Sequence, residues 1–316
     1  MIHEKVQPPV YLREFAKWIL NDESRIDRLP PEKRTRLDPP RVAVFVLLHL
    51  ACLSVFIVGY STAALVLALG SYFLRMFFIT AFYHRYFSHR SYRVSRGVQF
   101  LMACLGCTAG QRGPLWWASH HRVHHATSDS DKDPHSPRRG FLNSHLLWFL
   151  HRDKFVIEKR YVKDLLRYPE LCWLEKFDWI PLILFGLGCY LLGELLAVWF
   201  PNLGVNGAQA FVWAFIVSTV LLYHATYTIN SLAHKFGKKR YHTRDESRNN
   251  WLLALLTLGE GWHNNHHRYP AAARQGFFWW ELDLTYIALK ILDKLGLISE
   301  IREVPAVVLS EAGRRQ

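Results

Sequence analysis

Hydrophobic residues in this chain are gathered into long continuous runs, unlike the mixed pattern that is typical of a soluble protein. Residues 42–60 carry no formally charged side chain, and further apolar runs occupy residues 61–82, 179–200 and 208–229. About 20 consecutive apolar residues in a helix are enough to cross the hydrocarbon core of a bilayer. We therefore predict an all-α integral membrane protein with four transmembrane helices, one for each run.

The short connections between these runs predict how the helices pair. Only a tight turn separates the first run from the second, and the uncharged segment 201–207 separates the third from the fourth. Two helical hairpins are expected. His49, inside the first run, is interpreted as a satisfied group between helices. Arg75, in the last third of the second run, is expected to extend along the helix toward the near membrane interface.

The charge distribution predicts the orientation in the membrane. The net charge is +13, and the basic residues lie between and around the apolar runs. This placement favours a membrane surface over nucleic acid as the partner of the positive charge. Both turns on the far side lack Lys and Arg, so the termini and all other polar segments are expected in the cytoplasm. A bacterial inner membrane is favoured over the endoplasmic reticulum.

The polar segments should form a cap over the hairpins. We expect a cytosolic N-terminal segment at 1–40, a single domain at 41–305 whose helical cap comes from 84–178 and 230–305, and a C-terminal tail at 306–316. The apolar stretch 97–110 is too short to span and predicts an interfacial helix. Amphipathic patterns predict further helices around Tyr11–Leu20 and within 277–298.

Histidines at regular spacing mark the predicted cap as a metal site. Two triplets have the spacing i, i+3, i+4, namely His121, His124 and His125, and His263, His266 and His267. On an α-helix such positions share one face within about 100° of arc. Neutral imidazole is a good ligand for iron, zinc, copper and nickel. Each triplet therefore predicts a helix that presents three ligands.

Three more histidines lie where the apolar runs leave the membrane. His84 and His89 follow the second run, and His234 follows the fourth. A regular helix places residues five apart about 140° from each other. Either the helix ends between His84 and His89, or each of them serves a different metal. Nine histidines exceed the roughly four to six ligands of one ion, so the helical cap is expected to hold a di-metal site.

The ligand type limits the identity of the metals. An all-nitrogen set does not suit magnesium or calcium, and none of the five cysteines lies in a histidine cluster, which argues against thiolate-bound zinc. A zinc hydrolase needs only a few imidazoles, and Glu260 is the only evident general base. Two irons that use dioxygen to attack an unreactive C–H bond fit better. Asp129, Asp131 and Asp133 could orient the imidazoles or could serve only the turn that contains them.

The histidine motifs resemble those of the membrane fatty acyl desaturases of the stearoyl-CoA desaturase type. The similar motifs are HRYFSH at 84–89, HRVHH at 121–125, NSLAH at 230–234 and GEGWHNNHH at 259–267. The segments DPHSPRRGF at 133–141 and WWELDLTY at 279–286 are also similar. The likeness covers roughly residues 40–305.

This resemblance implies a di-iron centre held by all nine histidines, with Asn230 holding an iron-bound water. It implies dehydrogenation of a saturated acyl chain to a cis double bond, most often at carbon 9, with O₂ and two electrons. The electrons are expected from a separate ferredoxin, rubredoxin or cytochrome b5 and its reductase. A fatty acyl-CoA is the expected substrate, and a phospholipid-linked acyl chain is the alternative.

Six further residues are candidates for substrate contact, each with a plain packing or surface role as its alternative. Trp117 and Trp148 are expected to wall a tunnel or head-group site, Arg152 and Lys154 to bind phosphates, and Tyr72 and Met76 to close the methyl end of the tunnel. No role is assigned to His120.

Two other functions compete with desaturation. A hydroxylase or monooxygenase with the same histidine motifs would insert oxygen instead of removing hydrogen. A membrane metal transporter would place its ligands at mid-membrane, whereas the clusters here are expected at the ends of the spans and in the cap.

Overall fold

The computed structural model describes residues 9–312, which form helices and loops with no β-strand in that range. Four helices are long and apolar enough to cross a membrane: span 1 at Pro39–Val58, span 2 at Thr62–Ser88, span 3 at Trp179–Trp199 and span 4 at Gly207–His234. The predicted all-α fold with four candidate membrane helices is confirmed. Spans 2 and 4 continue beyond the predicted ends of the apolar runs.

Shorter helices make up the segments between and around the spans. The N-terminal segment contains helices at Val10–Ile19, Ser24–Asp27 and Pro31–Arg34. The cap contains α-helices at Arg96–Cys107, Pro114–Thr127, Pro169–Lys176, Trp251–Leu256, His263–Arg268, Leu284–Lys294 and Ala306–Glu311. Short 3₁₀ and π turns lie at Pro137–Arg139, Asn143–Leu147, Trp148–Leu150, Arg152–Phe155, Lys159–Tyr161 and Pro201–Leu203.

The amphipathic segment 277–298 is helical only from Leu284 to Lys294. The helix begins there because the Asp283 side chain accepts a hydrogen bond from the Tyr286 backbone N–H at 2.9 Å. Such a cap satisfies one of the free N–H groups at a helix start.

Hydrogen bonds tie the far ends of the two hairpins together. The Gln209 side chain donates to the Val58 carbonyl at 2.9 Å and accepts from the Ser61 hydroxyl at 3.1 Å. Gly59 makes the turn between spans 1 and 2 with a φ of +67°, a conformation that favours glycine. The turn can therefore be short.

Spans 2 and 4 form the centre of the membrane part. Half of the residues in the most apolar 18-residue stretch of span 2 are buried, whereas none of the residues in the corresponding stretch of span 1 is buried. Span 1 therefore lies at the periphery and presents its apolar side chains outward. Above the membrane part, span 2 packs closely on the cap helix Arg96–Cys107, where a Cβ at Gly106 would lie only 2.0 Å from the Tyr83 ring.

The expectation that Arg75 extends to the interface is wrong, because its side chain is fully buried. The guanidinium donates to the Ser218 hydroxyl, to the Thr219 hydroxyl at 2.7 Å and to the Thr108 carbonyl at 3.2 Å. Polar groups of span 4 and of a cap helix end thus satisfy the charge inside the bundle. Arg75 joins span 2 to span 4 and to the cap.

We predict that Arg75→Met lowers the thermal unfolding midpoint of the detergent-solubilised protein by several degrees. Each hydrogen bond to a charged group contributes about 1.5–3 kcal/mol, and the substitution also leaves its acceptors unpaired. The matched control is Arg93→Met, because the Arg93 side chain is 74% exposed and pairs only at the surface with Glu300. Equal midpoints for the two variants, measured by intrinsic fluorescence, would contradict a structural role for Arg75.

Candidate metal centre

The end of span 2 is a π-helix from Phe78 to Ser88. This wider helix forms hydrogen bonds between residues five apart, and the His89 N–H accordingly donates to the His84 carbonyl at 3.3 Å. The ring centroids of His84 and His89 lie 4.9 Å apart. Of the two alternatives for this pair, the structure fits the first, because the helix ends at Ser88, before His89, and its π-helical form brings both imidazoles together.

Five imidazoles from three helices converge on one point and form what we name the five-histidine cluster. Its members are His84, His89, His121, His125 and His266, each of which offers one ring nitrogen within 4.8 Å of those of the other four. The Nε2 atoms of His89 and His121 are 2.8 Å apart, and those of His84 and His266 are 3.0 Å apart.

Four other imidazoles form a second group, which we name the four-histidine cluster. It consists of His124, His234, His263 and His267, again with ring nitrogens within 4.8 Å. The Nε2 atoms of His234 and His263 are 3.0 Å apart, and those of His124 and His267 are 3.3 Å apart. Each of the two triplet helices thus divides its three histidines between the two clusters.

The spacing and chemistry of these nitrogens fit bound metal ions. Two nitrogens that ligate one ion at roughly 2.1 Å and at right angles are separated by about 3 Å. The pairs within the clusters lie 2.8–3.3 Å apart. Burial lowers the pKa values of His121, His125 and His266 well below the usual value. These imidazoles are therefore neutral at physiological pH, which is the form that binds a metal.

Buried carboxylates fix three imidazoles of the four-histidine cluster by their other ring nitrogen, and Asp133 and Asp245 hold two of them. Asp133 lies 3.0 Å from Nδ1 of His124, and Asp245 lies 2.7 Å from Nδ1 of His267. A carboxylate at Nδ1 sets the tautomer, directs Nε2 toward the metal and raises the basicity of the ring.

The three aspartates that follow the helix Pro114–Thr127 differ in their surroundings: two contact the four-histidine cluster and one is exposed to solvent. Asp129 lies 3.1 Å from Nδ1 of His234. Asp129 and Asp133 therefore orient imidazoles, which is the first of the two roles considered for these aspartates. Asp131 is exposed, and its backbone carbonyl accepts from Arg139. Only a turn role is left for Asp131.

A buried ion network supports the five-histidine cluster. The Glu260 carboxylate contacts Nδ1 of His84, and the fully buried Arg85 donates to Glu260 at 3.1 Å and to Asp283 at 3.0 Å. The Gln275 amide donates to Glu260 at 3.1 Å. Arg85, Glu260 and Asp283 lie in motifs quoted above, but the sequence did not predict that they pair, because they are far apart along the chain. Asp245 lies in no such motif and was missed.

A cavity of about 550 Å³ reaches the metal centre at His121. A smaller cavity of about 50 Å³ lies beyond it, and the two share Trp117, His121, Thr226 and Asn230 as lining residues. At this junction Gln111 donates to Thr226 at 2.9 Å and accepts from the Trp117 indole at 3.3 Å. The cavities therefore meet beside His121, with the wall held by hydrogen bonds.

The candidate substrate residues are distributed unevenly around these cavities. Trp148 lines the larger cavity, stacked on Trp116 with ring centroids 5.8 Å apart, and Met76 lines the smaller one. Tyr72 is not among the lining residues and instead donates to the Leu256 carbonyl at 2.7 Å.

Arg152 and Lys154 lie outside the lining of both cavities. Arg152 approaches Asp38 at 3.8 Å, and Lys154 pairs with Asp153 at 2.8 Å. His120, to which no role was assigned, lines the larger cavity, and burial lowers its pKa to about 3. A neutral His120 packed on Trp116 is part of the cavity wall.

Comparison with known proteins identifies the family. The family model described as fatty acid desaturase matches residues 60–296. The chain belongs to the fatty acid desaturase family. It is therefore an oxidoreductase with candidate membrane-spanning helices, and the metal-transporter alternative is set aside.

Three relatives illustrate the range of this desaturase family. The sn-2 palmitoyl-lipid 9-desaturase of Nostoc sp. (strain 36) is 39% identical, over 71% of this chain and 75% of the relative. The acyl-CoA 5-desaturase AL21 of Anemone leveillei is 38% identical, over 83% and 78%. The sn-1 stearoyl-lipid 9-desaturase of Anabaena variabilis is 36% identical, over 82% and 91%.

We predict that Asp133→Asn and Asp245→Asn each weaken metal binding by about 10–100-fold, because the imidazoles they orient lose their fixed tautomer. The measurement is metal retained during titration with a chelator. Asp131→Asn is the matched control, since it removes an exposed acid from the same loop as Asp133. A comparable loss in the Asp131 variant would show that net loop charge, and not imidazole orientation, controls binding.

Proposed function

We propose that this desaturase converts a saturated fatty acyl chain to a cis-monounsaturated chain, with the double bond at carbon 9. The overall reaction removes two hydrogens from neighbouring methylenes and combines them with O₂, two electrons and two protons to give two waters. A separate ferredoxin, rubredoxin or cytochrome b5, with its reductase, supplies the electrons. The observation that carries this proposal is the junction of two cavities beside His121, directly at the five-histidine cluster.

Two ions are assigned to the two clusters, and iron is the metal that suits both the imidazole donor set and the family. The ligands are His84, His89, His121, His124, His125, His234, His263, His266 and His267. Bound iron would supply the oxidation of an unreactive C–H bond by dioxygen. Asn230 lines both cavities next to His121, and we assign it to hold a water at the metal.

The protein itself decides which carbons react. The lining of the larger cavity is mostly aromatic and aliphatic, which suits a hydrocarbon chain and excludes bulk water. The hydrogen-bonded wall of Trp117, Gln111 and Thr226 holds the chain where the cavities meet. If the head of the substrate is fixed at one end, the distance to this junction sets the position of the double bond.

The carrier of the acyl chain is a phosphate-containing ester, either coenzyme A thioester or membrane phospholipid. Relatives whose names specify acyl-CoA and relatives whose names specify lipid are equally similar to this chain. We place both termini and the metal centre in the cytoplasm, on the inner membrane of a bacterium. Residues 41–305 act as one domain.

Expression in a host that lacks its own desaturase should yield cis-9 monounsaturated fatty acids, located by mass spectrometry. His124→Ala should abolish the product while the protein still inserts in the membrane, because the four-histidine cluster loses a ligand. His242→Ala is the control, as His242 is an exposed histidine outside both clusters. Hydroxylated chains without new double bonds would instead identify a hydroxylase.

Met76→Ala should shift the products toward longer chains, by at least about one two-carbon step. Met76 lines the smaller cavity and is fully buried, so its truncation lengthens the space for the methyl end. Tyr72→Phe removes a hydroxyl bonded to Leu256 without changing the lining, and it should leave the chain-length profile unchanged. An unchanged profile in the Met76 variant would show that the methyl end lies elsewhere.

A further inference from the structure

Several arginines converge at the wall of the larger cavity, around the ring of Phe155. The guanidinium carbons of Arg41 and Arg112 each lie 4.4 Å from the centroid of the Phe155 ring, and that of Arg25 lies 5.0 Å from it. Arg41, Arg112 and Phe155 all line the cavity. One aromatic ring therefore packs against three cations that would otherwise repel each other.

Too few negative charges accompany these cations. Asp38 lies within 4.0 Å of three of them, Arg25, Arg41 and Arg152, at 2.5, 3.9 and 3.8 Å. Asp178 lies 3.4 Å from Arg112. Four guanidinium groups thus share two carboxylates.

Glu175, the third acid in reach, adds little charge. It lies 3.6 Å from Arg112. Burial raises the pKa of Glu175 to about 8, so most of it is protonated at neutral pH. Even with Glu175 ionised, the four guanidinium groups would outnumber the three carboxylates, so the buried cluster keeps a positive surplus.

Some N–H groups of these arginines form no hydrogen bond within the described part of the protein. Within residues 9–312, buried N–H groups of Arg25 and Arg41 have no hydrogen-bond acceptor, and Nε of Arg112 lies 3.4 Å from an Asp178 oxygen without forming a hydrogen bond. The indole N–H groups of two other lining residues, Trp18 and Trp179, are buried without an acceptor as well. Unpaired buried donors are costly. A ligand with several acceptor oxygens and a negative charge could accept hydrogen bonds from all of these N–H groups. A single carbonyl, with two lone pairs, could not.

We propose that Arg41 and Arg112, supported by Arg25 and the indoles of Trp18 and Trp179, form a binding site for the phosphate-bearing head of the acyl substrate. Arginine is the side chain best suited to phosphate. This inference rests on the proposed function and names the group that fixes the head of the chain.

Much of this site comes from a part of the chain outside the family match. Trp18, Arg25 and Arg41 precede residue 60, where the match begins. Trp18 and Arg41 thus line a cavity that also reaches His121 of the metal centre, and Arg25 packs on the lining residue Phe155. The acyl chain would lie with its head here and its methyl end toward Met76.

Equilibrium binding to the purified protein tests the proposal without metal turnover. The ligands are palmitoyl-CoA, palmitoyl-lysophosphatidylglycerol and monopalmitoylglycerol, the last of which has the same ester and chain without phosphate. Binding is followed by intrinsic tryptophan fluorescence, because several tryptophans line the cavity. The variants are Arg41→Gln, Arg112→Gln and the charge-retaining Arg112→Lys. Arg96→Gln, which removes an exposed arginine paired with Glu170, is the matched control.

Both glutamine variants should weaken binding of at least one phosphate-bearing ligand by about tenfold or more, the equivalent of one lost charged hydrogen bond. Binding of monopalmitoylglycerol should change less than about threefold, Arg112→Lys should retain part of the affinity, and the Arg96 variant should match the wild type. A loss confined to palmitoyl-CoA assigns the head to coenzyme A, and a loss confined to the lysolipid assigns it to a phospholipid.

Unchanged affinity for both phosphate ligands would overturn the proposal, and so would an equal loss for monopalmitoylglycerol. Because no electrons or dioxygen are needed, the result is separate from that of the expression assay. A chain that bound these ligands but formed no double bond would contradict the proposed function and leave this site in place.

Discussion

Nine imidazole rings are packed so closely that their nitrogens lie within 4.8 Å of one another in each cluster, and this crowding is the constraint on which the rest of the structure depends. Charged imidazoles at such distances would repel each other strongly. Burial keeps most of them neutral, as the lowered pKa values of His121, His125 and His266 indicate. Neutral nitrogens about 3 Å apart are suited to share an ion, so the cap is a scaffold that presents lone pairs to metals.

The cap meets this constraint by combining short helices with buried acids. Each triplet helix sends histidines to both clusters, which places the two clusters side by side. Asp133 and Asp245 hold imidazoles by the nitrogen that faces away from the cluster. The fully buried Arg85 pairs with both Glu260, which contacts His84, and Asp283. Without this guanidinium, the carboxylate of Glu260 would be costly to bury.

The membrane part carries the substrate space and connects it to the cap. Spans 2 and 4 extend past the membrane region and deliver His84 and His234 directly to the clusters. Arg75 holds these two spans together, so the junction between the cavities stays in register with the metal centre. Arg41 of span 1 and Arg112 of the cap add two arginines to the mostly aromatic and aliphatic lining of the larger cavity.

The sequence by itself determined the features that depend on local periodicity. The length of the apolar runs predicted four candidate spans, and the spacing of His121, His124 and His125 predicted a helix with three ligands on one side. Only the tertiary structure decided features that depend on contacts between distant segments or on local departures from regular helix. Arg75 is buried because hydroxyls of span 4 reach it, and His84 joins His89 because span 2 widens into a π-helix. Asp245 orients His267 from a loop whose sequence has no metal motif, because hydrogen-bond partners are chosen by proximity in the folded chain.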